Sequence, residues 1–478
     1  GHGFTVNAVW NYLNGVPDSL PVPASTYWGP LVPAVVWAFF AALGESWPAA
    51  QMAAAVVGAG LVVCVYFFVL RHSKSEVFAL LAAVAMTLSA TMVQSSTSPG
   101  TAIFYAALML PTLLLASRVA AGSPGWAVLA GACAALLSLT RNDGILALGT
   151  LGLLCLIFTR QGRRAILLRW VALAVGFALV RLPWEVYTTL TAGTGLGGGQ
   201  LRAAFLANYS ELFTTHPERL TLGHLLDQGV VQLIAVRART LLKNLFEVAV
   251  QVGIVPFLLA VAVIVRRRRQ PVFAALGIQY LILFLFSALV FPYPTQQGTF
   301  GHSFTGMVPL ILAAAFVSLG DLQGAKRSPP VGQSAARRAA LRRRTAWLLV
   351  LAMMLTYVVT LPLALRNAES TSRQRQQLQE SVFACLQPLN PEGRAILHFD
   401  AWDYYYTTRL PVLMMPRDQY ADIVALARRF RAPVLANHMM LDRKHPDFVQ
   451  AWRHDPRIAL VAQPFAPIQI FQFLYPEC

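Results

Sequence analysis

Residues 126–159 read WAVLAGACAALLSLT, then RNDG, then ILALGTLGLLCLIFT: two charge-free apolar runs parted by the short turn Arg141-Asn142-Asp143-Gly144. A helix at a water-facing surface carries a polar face, and neither run has the charged residues to supply one. Two such runs in tandem predict helices that cross hydrocarbon, with Arg141 at the level where the chain turns back.

The same pattern recurs on both sides. Apolar runs at 49–70, 77–96, 101–120, 168–187, 245–265, 272–291, 304–319 and 346–364 bring the number of predicted spans to about ten. Several are shorter than the ~20 residues a perpendicular span needs. The chain of 478 residues is 56% hydrophobic and 12% charged, about half the charge content of a soluble domain. Only the last hundred or so residues read as an ordinary globular sequence. The expected fold class is an all-α polytopic membrane bundle followed by a small C-terminal α/β domain.

A net charge of +17 would suit a nucleic-acid binder, but the basic residues sit in short clusters between apolar runs, with no interleaved aromatics for base stacking. The clusters are Arg71–Lys74, Arg160–Arg164, Arg266–Arg269 and Lys326–Arg344. Strict alternation of the spans puts all of them, and Arg118, on one side, which the positive-inside rule makes cytoplasmic. Three regions follow: residues 1–48, an outer loop with an interfacial helix at 28–44; residues 49–364, the transmembrane domain with a long outer loop at 188–244; and residues 365–478, an extracytoplasmic α/β domain. The alternative for 28–44 is a true short span. In the last region, strands are expected near 394–399, 411–415, 433–436, 458–461 and 468–473, and helices at 400–408 and 418–430. The segment Asp400 to Tyr406 sets two carboxylates beside four aromatics, a sugar-stacking pattern or a packed amphipathic helix. Cys64, Cys133 and Cys155 lie in spans and are expected as free thiols. Cys385 and Cys478 flank the outer domain, where a disulfide can persist.

Polar variety gathers in the predicted outer connections, and four of these segments resemble one family. Ser138-Leu139-Thr140-Arg141-Asn142-Asp143-Gly144 resembles the "LTRPEG" turn of GT-C superfamily membrane glycosyltransferases. Their relatives include the protein O-mannosyltransferases and aminoarabinose lipid A transferases, of the glycosyltransferase family 39 type. Gly1-His2-Gly3-Phe4 is similar to their "GxGF", and Tyr27-Trp28-Gly29-Pro30-Leu31 to their "YWxPL". Asn208 to Phe213 and His302-Ser303 before Val308-Pro309 also agree, so the resemblance spans nearly the whole chain.

The resemblance implies transfer of a sugar from a polyprenyl-phosphate carrier to an acceptor of unstated kind at the outer face of the plasma membrane. Such a reaction needs a carboxylate base for the acceptor and cations for the departing phosphate. Arg141 suits the cation, since a guanidinium grips phosphate oxygens in a bidentate way. At a helix end it also reads as a snorkelling side chain. Asp143 reads as an orienter of Arg141, as a substrate contact, or as a turn residue ahead of Gly144. His302 stands where relatives place a cation near the carrier phosphate, and also reads as a structural loop histidine. Tyr27 and Trp28 suit packing on sugar or lipid, or an interfacial aromatic belt.

Two segments depart from the family pattern. Ser98-Pro99-Gly100 stands where relatives carry an acid. Pro183-Trp184-Glu185-Val186-Tyr187 stands where they read "PWxxRN", leaving Arg181 as a substitute cation. The family's base is an outer-loop Asp ahead of the GxGF segment, which here opens the chain. The base is therefore expected before residue 1, the chain N-terminally truncated, and residues 1–478 inactive on their own; Asp18 and Asp143 are the candidates otherwise. The sequence points to no cofactor, no metal and no nucleic acid. Gly193 to Gly199 lacks the Lys-Ser/Thr of a P-loop, and no Cys or His spacing matches zinc. The reading from another class is a non-enzymatic transporter or flippase of lipid-linked sugars, which would show inverted repeats and interrupted helices. The sequence is read as having neither.

Overall fold

The computed structural model describes residues 29–44, 46–192, 203–208, 211, 220–324, 333–398, 412–414, 420–429, 431–438, 454–456, 458–465 and 468–473. Two compact units account for the chain: residues 28–185 with 229–365, and residues 1–27, 186–228 and 366–478.

The first unit is helical. Pro48–Ser73, Thr101–Ala121, Arg163–Leu190, Pro271–Leu289 and Ala340–Ser370 are each long and apolar enough to cross a membrane. Three more candidates are pairs of helices meeting at a bend: Glu76–Leu88 with Ala90–Thr97 at 62°, Val230–Val252 with Ile254–Arg266 at 102°, and Thr299–Thr305 with Val308–Gln323 at 52°. Leu31–Leu43, Pro124–Thr140 and Ile145–Phe158 are shorter apolar helices. At 1.5 Å per residue they run about 20–25 Å.

The centre of this unit is the helix Val308–Gly324, with every residue from Ser303 to Gly320 buried. A helix apolar on all sides belongs in a core. The outer helix Arg163–Ala192 instead exposes Leu167, Leu168, Val171, Val175 and Leu179, more contiguous apolar surface than a water-soluble protein presents. Two basic knots tie connections together. Arg267 pairs with Asp321 and donates to the His72 carbonyl at 3.2 Å, joining the ends of three helices. Arg169 donates to the carbonyls of Ala120 and Gly122, to Thr159 and to Gln161. The alternation read from the sequence puts all of these connections on a common side.

Three expectations are corrected. The run 245–265 is not one span: the helix starts at Val230 and ends at Gly253, whose φ of 88° and ψ of 150° redirect the chain. Only glycine adopts that region without strain. Helix Val230–Val252 was hidden because Arg237, Arg239 and Lys243 depress its hydropathy. The segment 188–244, expected as a loop, therefore holds the end of helix Arg163–Ala192, a short helix Leu222–Leu226 and the first turns of Val230–Val252. Interrupted helices are present, contrary to the sequence reading.

In the second unit the described residues form a five-stranded mixed sheet, β1 (Ile396–His398), β2 (Val412–Met414), β3 (Val434–His438), β4 (Ile458–Phe465) and β5 (Ile468–Phe473), in the order β2-β1-β3-β5-β4. β1 runs parallel to β2 and β3, while β5 is antiparallel to β3 and β4. Ile396, Leu397 and His398 are all buried, as expected for an inner parallel strand covered on both faces. Helix Tyr420–Arg429 buries Ile423 and Ala427, one turn apart. The expected helix 400–408 and Cys478 lie outside the described residues.

Candidate active site

Helix Pro124–Thr140 stops because Arg141 is extended, φ −147° and ψ 140°, and its N–H caps the Leu137 carbonyl at 2.9 Å. The 3-10 turn Asn142–Gly144 then reverses the chain, closed by Gly144 N–H on the Arg141 carbonyl at 2.8 Å. A Cβ on Gly144 would lie 2.3 Å from the Leu137 carbonyl carbon, so only glycine permits this tight crossing. The reversal turns the Arg141 side chain into the protein rather than along the helix axis.

Arg141 is buried, 8% exposed, and each of its three nitrogens has a partner. Nε donates to Asp143 Oδ1 at 3.1 Å, Nη1 to Thr101 Oγ1 at 3.1 Å and Nη2 to Ser303 Oγ at 2.9 Å. The guanidinium carbon lies 5.9 Å from the centre of the Tyr105 ring. A snorkelling arginine would reach for solvent; this one gathers the starts of two helices around the turn. A guanidinium has five N–H donors, and three are used, so two remain without a partner among the described residues. Nearby, the buried Asp143 Oδ2 and Tyr105 Oη have no hydrogen-bond partner among the described residues. Native proteins rarely leave buried polar atoms in that state unless water or ligand completes them.

The other expected residues fall around this centre. Arg181 donates from Nε to Glu185 Oε1 at 2.5 Å and from Nη1 to the Ser138 carbonyl at 2.9 Å, bracing the helix turn that ends at Arg141. His302 is exposed, next to the Ser303 that accepts from Arg141, and the charges that act on it are those of Arg141, Glu247 and Asp143. Tyr27 and Trp28 lie outside the described residues. The following Gly29 packs so closely on the backbone of Leu139 that a Cβ would stand 1.8 Å from its carbonyl oxygen. In the other unit, Glu211 accepts from the N–H groups of Ala207 and Asn208, from the Asn208 side chain and contacts His224 Nε2 at 3.1 Å. Four contacts make that carboxylate a loop organiser.

Sequence reading missed one side of the site. Helix Val230–Val252 carries Thr240, Asn244, Glu247 and Gln251 at helical spacing along one face. Gln251 Nε2 donates to the Gly301 carbonyl at 2.9 Å, and Thr305 donates to Gln251 Oε1 at 3.1 Å. A Cβ on Gly301 would lie 3.1 Å from Gln251 Nε2 and 3.2 Å from Glu247 Oε2, so Glu247 sits directly on the turn that bears His302. The signal available was the 3–4 spacing of the polar residues.

No family model matches the chain, and no curated protein matches it by sequence. Solved structures do. ArnT from Cupriavidus metallidurans bound to undecaprenyl phosphate aligns over 98% of this chain and 93% of its own, at 13% identity and a TM-score of 0.57. The apo state of the same enzyme aligns over 98% and 92%, at 15% identity and a TM-score of 0.55. At this identity the likeness speaks of fold, and it extends from end to end. The chain thus shares the fold of these ArnT structures, a bundle of apolar helices with a small C-terminal α/β domain.

Proposed function

We propose that this protein transfers a sugar from a polyprenyl-phosphate carrier to an acceptor at the outer face of the plasma membrane, with residues 365–478 on that same extracytoplasmic side. The observation that carries the reading is Arg141: a buried cation fixed by three side chains, with two N–H groups left over among the described residues, at the end of apolar helices. That is what a departing lipid phosphate requires, because preorganised donors stabilise charge as it develops. Asp143 and Ser303 hold the fork in place, Arg181 braces the turn, and His302 lies beside Ser303 as a further contact for the donor. The neighbour's bound undecaprenyl phosphate supports the carrier class.

The three bent helix pairs favour a second reading, a non-enzymatic transporter or flippase of lipid-linked sugars. One bend, however, delivers Ser303 to Arg141, which ties it to the candidate site rather than to a path through the bilayer. One experiment separates the two. The protein is reconstituted in liposomes and given a panel of radiolabelled polyprenyl-phosphate sugars with membrane extract as acceptor source. Transfer releases sugar-free polyprenyl phosphate and labels an acceptor; transport moves label across the bilayer with its phosphate linkage intact.

A further inference from the structure

A departing phosphate needs the Arg141 fork held still, and one of its three holds comes from far along the chain. Nη2 donates to Ser303 Oγ at 2.9 Å, and Ser303 is able to accept because its own proton goes to the Thr299 carbonyl at 3.0 Å. Ser303 rides on helix Thr299–Thr305, seven residues between Gly298, with its φ of 101°, and the 52° bend into Val308–Gln323. A helix that short does not hold itself in place. Contacts from outside it must fix where Ser303 stands.

Gln251 grips this helix on both sides of Ser303. Its Nε2 donates to the Gly301 carbonyl at 2.9 Å, and its Oε1 lies 3.1 Å from the Thr305 hydroxyl. Those residues stand two before and two after Ser303. A carbonyl can only accept, so the amide nitrogen faces Gly301 and the amide oxygen faces Thr305. The Thr305 hydroxyl shares its proton between Gln251 Oε1 and the Gly301 carbonyl, 2.9 Å away.

The far end of the clamp is pinned as well. Gln251 lies in the last turn of helix Val230–Val252, beside the 102° bend at Gly253. Thr91 donates to the Gln251 carbonyl at 3.4 Å and Tyr357 to the Val252 carbonyl at 2.7 Å, satisfying acceptors that a helix end leaves over. Thr91 itself follows the 62° bend between Glu76–Leu88 and Ala90–Thr97. Gln251 thus ties the three bent pairs together, and the series of contacts ends on Arg141. Amides and hydroxyls that bond across helices are common fixings inside a membrane bundle.

We propose that Gln251 is a positioning residue for the donor site, a role that rests on the sugar-transfer reading above. Through Gly301 and Thr305 it sets Ser303, and through Ser303 it sets the direction of the Arg141 fork. Gln251 itself touches no reacting atom. Loosening the clamp keeps the positive charge but lets its N–H groups drift from the leaving oxygen, and a misplacement of about 1 Å costs ~10²-fold in rate.

The test is a double-mutant cycle on the reconstituted enzyme with its donor and acceptor. Gln251→Met keeps the length and removes both amide contacts. It should lower kcat and kcat/KM together by about 10–10²-fold, with the carrier KM little changed, the pattern of a contact made only in the transition state. In a Ser303→Ala background the same change should cost much less, because the link to Arg141 is already cut. Thr305→Val is close in shape to threonine and should give a smaller loss, absorbed in the same way; it replaces Gln251→Met if that variant does not fold. A Gln251→Met variant at the wild-type rate, or losses that multiply in the double variant, overturn the positioning role and leave the transfer reading intact. So does a rate that falls only in step with the folded fraction. A wild-type protein that transfers no sugar from any carrier overturns both.

Discussion

Replacing Arg141 separates its structural role from its chemical one. Arg141→Ala removes three hydrogen bonds at 2.9–3.1 Å and leaves Asp143 a mostly buried carboxylate with no cation. Breaking one partner out of a buried pair costs roughly 3–5 kcal/mol, a large share of the stability of most domains. Loss of one charged transition-state contact costs about 10²–10³-fold in rate. The two effects part company in the double variant Arg141→Ala/Asp143→Ala. Removing the stranded carboxylate should recover part of the stability, since contacting residues couple by ~0.5–3 kcal/mol, while turnover should stay at the Arg141→Ala level. Arg141→Lys should give an intermediate rate, because the charge survives and the fork does not. The assays are thermal unfolding in detergent and the liposome transfer rate on the same preparations. Turnover that returns together with stability in the double variant would refute a direct role on the phosphate and leave Arg141 as a packing element.

Other outcomes follow from the same geometry. Gly144→Ala puts a methyl against the Leu137 backbone, so the turn must open; overpacking of this kind costs ~1–3 kcal/mol, to be read as a lowered unfolding temperature. Gly301→Ala meets side-chain atoms of Gln251 and Glu247, which can give way, so it should slow transfer while sparing thermal stability. Single cysteines in 325–344 should react with impermeant thiol reagents only from the cytoplasmic side, and those in 400–450 only from outside; labelling of both from one side would sink the orientation.

Much of this was legible because it is local. The turn 141–144 shows as the break between two apolar runs, and the last described strand, Ile468–Phe473, shows as a short, mostly apolar run with the expected bounds. What could not be read is what the chain brings together from afar. Thr101 and Ser303, 40 and 162 residues from Arg141, are small hydroxyls of no local distinction. Tyr105 reads as one more apolar-run aromatic. Glu247 sits in an amphipathic helix whose charges break the hydropathy signal, so the helix was read as half loop and half span. Gly253 looked like an ordinary span glycine, because a backbone angle leaves no mark on hydropathy.

The central claim is that a lipid phosphate sits on Arg141. A polyprenyl phosphate carrying a photoreactive group beside its phosphate, incubated with the reconstituted protein and illuminated, tests this directly. Peptide mapping should find the crosslink in residues 139–145 or 299–305, and Arg141→Ala should abolish it. A crosslink confined to other helices, unchanged in Arg141→Ala, would contradict the account.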